Sequence, residues 1–400
     1  MREGLDEAER RDIQDPLSEC IHEFFTGGLV HLNGNSLGPP RAGLLDELGR
    51  VVDGQWAPRQ VQGWFADGWL DLPRTVGDAI GELLGARPGQ TVVAGETTST
   101  TLFNAVTAAC RLREDRPVLL IEAGAFPTDL YVARSVARLL GRRLLVEPTA
   151  GFDEALRTRG SQIAAAIAAP VDFRTGELRE IGPTTALCRA AGAVSVWDLS
   201  HAAGVLPTDV DDNRVDLAVG CGYKYLGGGP GAPAYLYAAE RLHSAVDLPL
   251  SGWHGHAAPF EMSPDFVPAK GIDRARTGTP PLLGLVALHH ALGPLTRAGI
   301  EALSRRSRSL SDFFLACVGE RSPGLLARLV SPRDASRRGG HLALSVPDAA
   351  KVEHELAERG LLLDSRPPDL IRIAFAPLYV SHVQVWHAAR ELVHVLEGSR

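Results

Sequence analysis

The hydrophobic and polar positions between residues 71 and 239 predict alternating helices and short buried strands. Segments such as GDAIGELLGA and TLFNAVTAACRL carry apolar residues at helical spacing, whereas TVVAG, PVLLIEA and VSVWD are nearly continuous apolar runs. This order predicts an α/β domain with a mainly parallel sheet. Ligands of such sheets bind where loops leave the carboxyl ends of the strands, so functional residues are expected just after these runs.

The pattern changes after Pro280. A long helical region is followed by the predicted strands HLALSV and LIRIAFA, which are interleaved with two amphipathic helices. This arrangement predicts a second, smaller α+β domain. We therefore expect an N-terminal segment over residues 1–50 that packs near the small domain, a large domain over 51–275 and the small domain over 276–400.

Composition and charge exclude several classes of protein. The formal net charge is -7 without a concentrated basic stripe, which argues against nucleic acid as a partner. The five cysteines show no CxxC spacing, so neither a disulfide framework nor a structural zinc site is expected. The first residues are densely charged, and no apolar run is long enough to span a bilayer. We expect a cytoplasmic protein with no membrane segment.

Lysine is scarce in this chain, because only three of the 41 basic residues are lysines. One of them, Lys224, lies between two tyrosines and just before three glycines, in CGYKYLGGGPG. It is either a lysine beside an ordinary turn or a partly desolvated amine with a lowered pKa that can attack a carbonyl. Asp198 and His201 precede it in WDLSH, where a helix N-cap and a core histidine are the plain alternatives. Together the three residues match an enzyme that binds a cofactor aldehyde through an amine and its ring nitrogen through a carboxylate.

Two segments are candidates for binding phosphate. GGGPG lacks the GxGxxG spacing and does not open a helix, so it is a weak candidate. Residues 96–100, ETTST, follow one predicted strand and precede a helix, where hydroxyls and free amides bind phosphate well. The same residues could equally form an N-cap without a ligand.

Several motifs, in order over nearly the whole chain, resemble those of kynureninase, a fold-type-I enzyme dependent on pyridoxal 5'-phosphate (PLP). The resemblance implies the PLP-dependent transferase fold, with a mainly parallel large domain and a smaller α+β C-terminal domain. The matching segments are NGNSLGP (33–39), TTST (97–100), AFPTDLY (125–131), WDLSHAAG (197–204), GYKYLGGGPGAPA (222–234), SGWHGH (251–256), RTGTPP (276–281) and IRIAFAPLY (371–379).

The resemblance also implies a role for individual residues. Lys224 becomes the Schiff-base lysine, Asp198 the partner of the pyridinium nitrogen, and Tyr223 a phosphate contact and proton donor. Arg372 becomes the partner of the substrate α-carboxylate, a role that suits a bidentate guanidinium. Further cofactor contacts are expected from Thr98, Ser99, Phe126, Asp129, His201, Trp253 and Thr279, and further substrate contacts from Asn35, Ser36, Trp64 and His254.

The implied reaction is the hydrolysis of L-kynurenine, or of a 3-hydroxy or other ring-substituted form, to an anthranilate and L-alanine in tryptophan catabolism. In the family Trp253 and Thr279 reach the cofactor from the neighbouring subunit, which implies a homodimer. Trp64 and Thr279 are similar to bacterial members that prefer unhydroxylated kynurenine, although Trp64 could be simple core packing. His254 departs from the aromatic residue usual at its position, so the ring pocket is expected to differ.

Other PLP chemistry remains open at this point. A cysteine desulfurase or related lyase shares the Asp, His and Lys arrangement, but it needs a mobile cysteine in the C-terminal third. Only Cys317 lies there, inside the apolar stretch DFFLACVG. An aminotransferase is a weaker alternative, and a non-catalytic PLP-binding protein fits poorly with an intact Lys224, Asp198 and Arg372.

Overall fold

The computed structural model describes residues 2–398, and most of its strands lie where the apolar runs predict them. The strands are β1 (Val30–His31), β2 (Thr91–Gly95), β3 (Val118–Glu122), β4 (Arg143–Glu147), β5 (Ile163–Ala168), β6 (Val194–Asp198), β7 (Leu217–Cys221), β8 (Ala234–Ala238), β9 (His341–Ser345), β10 (Leu361–Leu362), β11 (Asp364–Arg366) and β12 (Leu370–Ala374).

The helices include one that the hydrophobic pattern did not predict. Helix α8 forms over TAGFDEALRTR, where only Phe152, Ala155 and Leu156 are buried. The helices are α1 (Arg2–Gln14), α2 (Leu44–Val51), α3 (Ala57–Arg59), α4 (Gly63–Ala66), α5 (Leu72–Leu84), α6 (Thr98–Arg111), α7 (Pro127–Leu139), α8 (Thr149–Arg159), α9 (Ile181–Ala191), α10 (Leu282–Ala298), α11 (Ile300–Arg321), α12 (Pro323–Leu326), α13 (Ala349–Glu358) and α14 (His382–Glu397).

The large sheet has seven strands in the order β2-β8-β7-β6-β5-β3-β4. Pairings from β7 through β4 are parallel, and β8 runs antiparallel to both of its neighbours. Strand β2 therefore points the same way as β7, so the carboxyl ends of β2, β3, β6 and β7 meet at one edge. This is the edge at which a mainly parallel sheet binds its ligands.

Both faces of the large sheet are covered by helices, which is why its central strands are apolar on both sides. Helices α6 and α7 pack on one face, through residues such as Leu102, Val106 and Val136. Residues of α5, α8 and α9 join the core on the other face. Gly77 of α5 lies directly against the backbone of Thr91 and Val92, so this helix approaches β2 closely because it has no side chain there.

The C-terminal part of the chain contains a three-stranded antiparallel sheet in the order β11-β12-β9. The N-terminal segment lies against this part: β1 pairs in parallel with β10, and α1 packs on α14. The rings of Phe24 and Tyr379 have centroids 5.2 Å apart. Among the described helices, none has the length and apolar composition needed to cross a bilayer.

Candidate active site

A cavity of about 260 Å³ opens at the edge where the carboxyl ends of β2, β3, β6 and β7 meet. Its walls come from the segments that follow these strands, as the parallel sheet requires. The cavity-lining residues are Glu96, Thr97, Thr98, Ser99, Phe126, Thr128, Asp129, Asp198, Ser200, His201, Tyr223, Lys224, Gly231 and Ala232. We call this the Lys224 cavity.

Lys224 lies three residues after β7, in a loop that turns back on itself. The Gly228 amide donates to the Gly222 carbonyl at 2.9 Å, and the Gly227 amide donates to the Lys224 carbonyl at 2.9 Å. Gly227 has φ 73°, in the left-handed region that glycine adopts without steric cost. The glycines after Lys224 thus build the turn and also bring the amine to the edge of the sheet.

The Lys224 amine contacts a neutral imidazole. Its Nζ lies 2.9 Å from Nε2 of His201. Burial, together with the charge of Lys224, holds the pKa of His201 well below its ordinary value, so the ring is neutral and only one of Nε2 and Nδ1 carries a proton. That Nδ1 is buried and has no partner among the described residues. Lys224 Nζ also lies 5.7 Å from the ring centroid of Phe126.

Asp198 and Asp129 form a buried carboxyl pair beside this amine. Burial raises the pKa of Asp129 well above its ordinary value, and the charge of Asp198 and a hydrogen bond between the two side chains raise it further. The shared proton therefore lies on Asp129, which donates to Asp198. Asp198 Oδ1 also accepts from the Ser200 amide at 2.9 Å. The last residue of β6 thus presents a carboxylate that is oriented by two donors.

The other end of the cavity carries donors suited to a phosphate. Thr97 caps α6, with its hydroxyl accepting from the Thr100 amide at 3.2 Å, and the next residues begin the helix. The Thr98 hydroxyl is buried without a partner among the described residues. Burial, and then the neighbouring Cys221, raises the pKa of Tyr223, so its hydroxyl keeps a proton to donate. Hydroxyls at a helix N-terminus favour an anion here.

These residues fit PLP. Lys224 offers the amine for its aldehyde, Asp198 a carboxylate for its ring nitrogen, and the unpartnered Thr98 hydroxyl a donor for its phosphate. The Phe126 ring is 39% exposed and leaves a face for the pyridine ring to stack on.

Arg372 lies on β12 and is almost completely buried, with 1% of its side chain exposed. Its Nε and Nη2 donate to the two carboxylate oxygens of Asp364 at 2.7 and 2.6 Å. Nη1 donates to the Phe173 carbonyl at 2.5 Å, and Nη2 to the Ser36 hydroxyl at 3.1 Å. Burial alone would raise the pKa of Asp364, but hydrogen bonding to Arg372 outweighs it and keeps the pKa low.

The N-terminal turn NGNS is brought to the same place. The amide of Ser36 donates to the Asn33 carbonyl at 2.8 Å, and the Ser36 hydroxyl donates to Asp364. Asn35 is fully buried, and both polar atoms of its side chain lack partners among the described residues. Predicted substrate contacts from opposite ends of the chain therefore meet around Arg372.

Like Arg372, Asn35 and Ser36, four more predicted residues are absent from the lining of the Lys224 cavity of the described chain: Trp64, Trp253, His254 and Thr279. Trp64 packs edge-on against Trp253 and His254, with ring centroids 5.8 and 6.4 Å apart. Nε2 of His254 lies 3.1 Å from the Leu70 carbonyl. Thr279 lines a separate pocket of about 190 Å³ that also contains His254.

Sequence reasoning missed three residues beside the site. Asp364 pairs with Arg372 across the β11–β12 hairpin, and the opposite charges flanking Pro367–Pro368 were the signal that could have revealed it. The Phe173 ring packs edge-on against Phe126 with centroids 5.2 Å apart, while its carbonyl binds Arg372. His341 is fully buried, 5.9 Å from His201 between ring centroids. Nothing in the local sequence marks the last two.

Comparison with known proteins finds kynureninases among the relatives of this chain. A family model described as the kynureninase C-terminal domain matches residues 303–392. The chain is 34% identical over 391 residues to a kynureninase of Pseudomonas fluorescens, covering 96% of this chain and 94% of the relative. It is 39% identical to a kynureninase of Deinococcus radiodurans, covering 96% and 95%. A kynureninase of Burkholderia pseudomallei is 36% identical, covering 98% and 95%.

Solved structures resemble the whole chain in fold. A cysteine desulfurase from Thermococcus onnurineus NA1 superposes with a TM-score of 0.79 at 18% identity, covering 96% of this chain and 98% of its own. A mutant of C-DES with glycine covalently linked to its PLP cofactor superposes with a TM-score of 0.77 at 17% identity, covering 93% and 98%. This likeness confirms the predicted α/β fold of the PLP-dependent enzymes.

Proposed function

The chain belongs to the kynureninase family, and we propose that it uses PLP to hydrolyse L-kynurenine, or a ring-substituted kynurenine, to an anthranilate and L-alanine. One observation carries the proposal: the Lys224 amine lies 2.9 Å from a neutral imidazole, in a cavity that also holds the Asp129–Asp198 pair. An amine that can exchange a proton beside a fixed carboxylate is what chemistry at an amino-acid Cα requires.

Each of these residues has its own role in the proposed reaction. When bound, PLP supplies an electron-poor ring that stabilises negative charge on the carbon atoms of the substrate. Arg372 binds the substrate α-carboxylate, and Asp198 holds a proton at the ring nitrogen. Lys224 takes the proton from Cα, with the neutral His201 at 2.9 Å as its hydrogen-bond partner. The protonated Tyr223 donates a proton to the alanine carbon after water has added to the γ-carbonyl and the Cβ–Cγ bond has broken.

The desulfurase alternative lacks its nucleophile. Cys317 lies inside α11 and is 2% exposed, and burial raises the pKa of its thiol to about 11. A catalytic cysteine needs a thiolate with access to substrate. The structural neighbours that are desulfurases are below 25% identity, so they support the fold alone.

A homodimer is part of the proposal. Trp253 and Thr279, expected to contact the cofactor, lie outside the Lys224 cavity of their own chain. Beside them Phe65 is 65% exposed and Phe260 is 42% exposed, with ring centroids 4.8 Å apart. Large exposed apolar side chains grouped in this way are typical of an interface. We propose that a second copy covers them and presents Trp253, Thr279 and the Trp64 ring to the first copy's cavity.

The aromatic residues around Trp64 also suggest which substituent on the kynurenine ring this protein prefers. Trp64, Trp253 and His254 would form the wall that meets the substrate ring across the dimer interface. His254 Nε2 lies 3.1 Å from both the Leu70 carbonyl and Arg276 Nη1 and can hydrogen-bond to either, which fixes the orientation of this ring. We propose that this wall favours unhydroxylated kynurenine, the preference that the similarity of Trp64 and Thr279 to bacterial members implies. A cytoplasmic location is also proposed, supported by five free cysteines, as is usual in a reducing compartment.

The lysines of the chain provide a matched test. We expect the purified protein to show the visible absorbance of bound PLP and to release a fluorescent anthranilate and alanine from L-kynurenine. Lys224→Ala should abolish both, while Lys270→Ala and Lys351→Ala, which remove exposed lysines, should change neither. The turnover rates of kynurenine and 3-hydroxykynurenine should be compared at equal concentrations. The molar mass of the protein, measured by light scattering, tests the proposed homodimer. Alanine released from cysteine but not from kynurenine would refute the proposal.

A further inference from the structure

The hydrogen bonds of Arg372 restrict how a carboxylate can approach it. A guanidinium has five N–H donors, and those of Nε and one on Nη2 point at the two oxygens of Asp364. A further Nη2 donor faces the Ser36 hydroxyl, and one Nη1 donor binds the Phe173 carbonyl. Among the described residues this leaves one N–H on Nη1. The side edge of the guanidinium is therefore occupied, so another carboxylate can take only the remaining N–H of Nη1 or replace the Ser36 hydroxyl at Nη2.

Charge balance gives a second restriction. Arg372 and Asp364 form a close pair whose charges cancel, so the pair alone attracts an anion weakly. Nearby, His341 is neutral, because burial and the charge of Arg372 lower its pKa to about 3. Arg366 supplies a further positive charge, which Glu353 on α13 partly offsets. Nη2 of Arg366 lies 3.1 Å from Asp364 Oδ2 and 3.4 Å from the Ser36 hydroxyl.

Arg366 is not needed to satisfy a buried group. Its side chain is 32% exposed, whereas Asp364 is already held by both Arg372 nitrogens and by Ser36. Within the described residues, its Nη1 bonds only to the carbonyl of the adjacent Ser365, at 2.7 Å. An arginine directed toward an Asp–Arg pair that is already complete adds positive charge beside Ser36 rather than packing.

We propose that the substrate-carboxylate site is a cluster in which Arg366 is a second recognition residue and Asp364 is a positioning residue that holds the Arg372 guanidinium end-on. This inference rests on the proposed function, in which Arg372 binds the α-carboxylate. Asp364 fixes the plane of Arg372, and Arg366 restores a net positive charge beside Ser36. The cluster would discriminate an amino acid with a free carboxylate from its amide.

Binding of L-alanine, the proposed product, tests this without catalysis. The holoenzyme is titrated with L-alanine and with L-alaninamide, and the change in the visible absorbance of the bound cofactor reports the dissociation constant. We expect Arg366→Gln to weaken L-alanine binding about tenfold, as for one charge-assisted hydrogen bond that is partly exposed to solvent. Arg366→Lys should recover most of that loss, and binding of L-alaninamide should not change in either variant.

A matched control is Arg241→Gln. Arg241 has 41% of its side chain exposed and pairs with Asp216, just before β7 begins and so at the opposite edge of the sheet. It should leave both dissociation constants unchanged. Steady-state kinetics of Arg366→Gln on kynurenine should show a raised KM with kcat within about twofold, since the residue does not touch the reacting carbons.

Asp364→Asn separates positioning from charge. Removing a negative charge would by itself strengthen L-alanine binding, whereas loss of positioning weakens it, and we expect weaker binding. Tighter binding would overturn the role of Asp364, and unchanged L-alanine binding in Arg366→Gln would overturn that of Arg366. If Asp364→Asn does not fold, the Arg366 variants still test whether Arg366 recognises the carboxylate. Wild type that binds L-alanine normally but does not cleave kynurenine would refute the proposed function without refuting this cluster.

Discussion

His254 is predicted to make the folded protein sensitive to acid. Its side chain is 2% exposed, and its Nε2 lies 3.1 Å from both the Leu70 carbonyl and Arg276 Nη1. Burial, and then the charge of Arg276, lowers its pKa to about 4, against the opposing charges of Asp273 and Asp71. In the unfolded chain the pKa of a histidine is about 6.5.

The size and sign of the effect follow from these two values. Between pH 6.5 and 4 the unfolded chain binds a proton at His254 and the folded chain does not, so stability is complete above this range and falls as the pH is lowered. Each pH unit is worth about 1.4 kcal/mol, so His254 alone should cost about 3 kcal/mol of unfolding free energy on going from pH 7 to pH 4.

The perturbation is His254→Phe, which keeps a ring against Trp253 but cannot bind a proton. Arg276 still donates to the Leu70 carbonyl at 2.9 Å in this variant. We expect the free energy of urea unfolding of the variant, relative to wild type, to rise steadily as the pH falls below 6.5. Comparing the two proteins cancels the contributions of the other buried histidines of the described chain, His201, His341 and His382.

An exposed histidine provides the control. His354 has 76% of its side chain exposed, and His354→Gln is measured beside His254→Phe so that removal of a buried histidine is compared with removal of an exposed one. A difference between His254→Phe and wild type that does not vary with pH would refute the conclusion that His254 is buried and neutral. The measurement is independent of the enzyme's activity.

Three further predictions follow from the packing of the site and core. Asp129→Asn keeps a donor to Asp198 but cannot lose a proton. Above pH 4 the unfolded wild type loses the Asp129 proton while the folded protein keeps it, so the unfolding free energy of the variant minus that of wild type should increase by about 1.4 kcal/mol per pH unit, up to the folded-state pKa of Asp129. A difference that stays constant with pH would contradict a protonated Asp129. Cys317→Ala should leave kynurenine turnover within about twofold, because a buried thiol takes no part in the reaction; a large loss would favour a catalytic cysteine. Gly77→Val should lower the unfolding free energy by about 1 to 3 kcal/mol, because its side chain meets the Thr91 backbone, and an unchanged melting temperature would contradict that contact.

The convergence of Asp198 and Lys224 in one cavity could be predicted from sequence, because both residues lie at or just after the ends of strands. Asp198 ends β6 and Lys224 comes three residues after β7, and the apolar runs that mark these strands are visible in the sequence. Parallel pairing then brings the two residues together without further information. Which carboxyl of the Asp129–Asp198 pair holds the proton was not predictable, because it depends on burial that only the folded structure defines.

The aromatic residues near the proposed substrate ring were harder to place. Trp64 and His254 are separated by 190 positions, and their contact depends on how the segment after α3 folds over residues 253–256. From the sequence, Trp64 could either line the pocket for the substrate ring or pack in the core. In the single chain its neighbours are other aromatic side chains, so the proposed ring pocket depends on a second copy.

The surroundings of Arg372 were not predicted from the sequence. Arg372 was expected to bind a substrate carboxylate, and the structure places it against a carboxylate of its own chain, Asp364. A buried arginine without a counter-ion would cost several kcal/mol, so a fold that buries Arg372 has to supply an acid nearby. Because the acid takes the side edge of the guanidinium, affinity for a second carboxylate must come from another cation. Arg366 is the arginine that the β11–β12 hairpin brings to that position, so the need to bury Arg372 and the need to bind an anion are met by neighbouring residues.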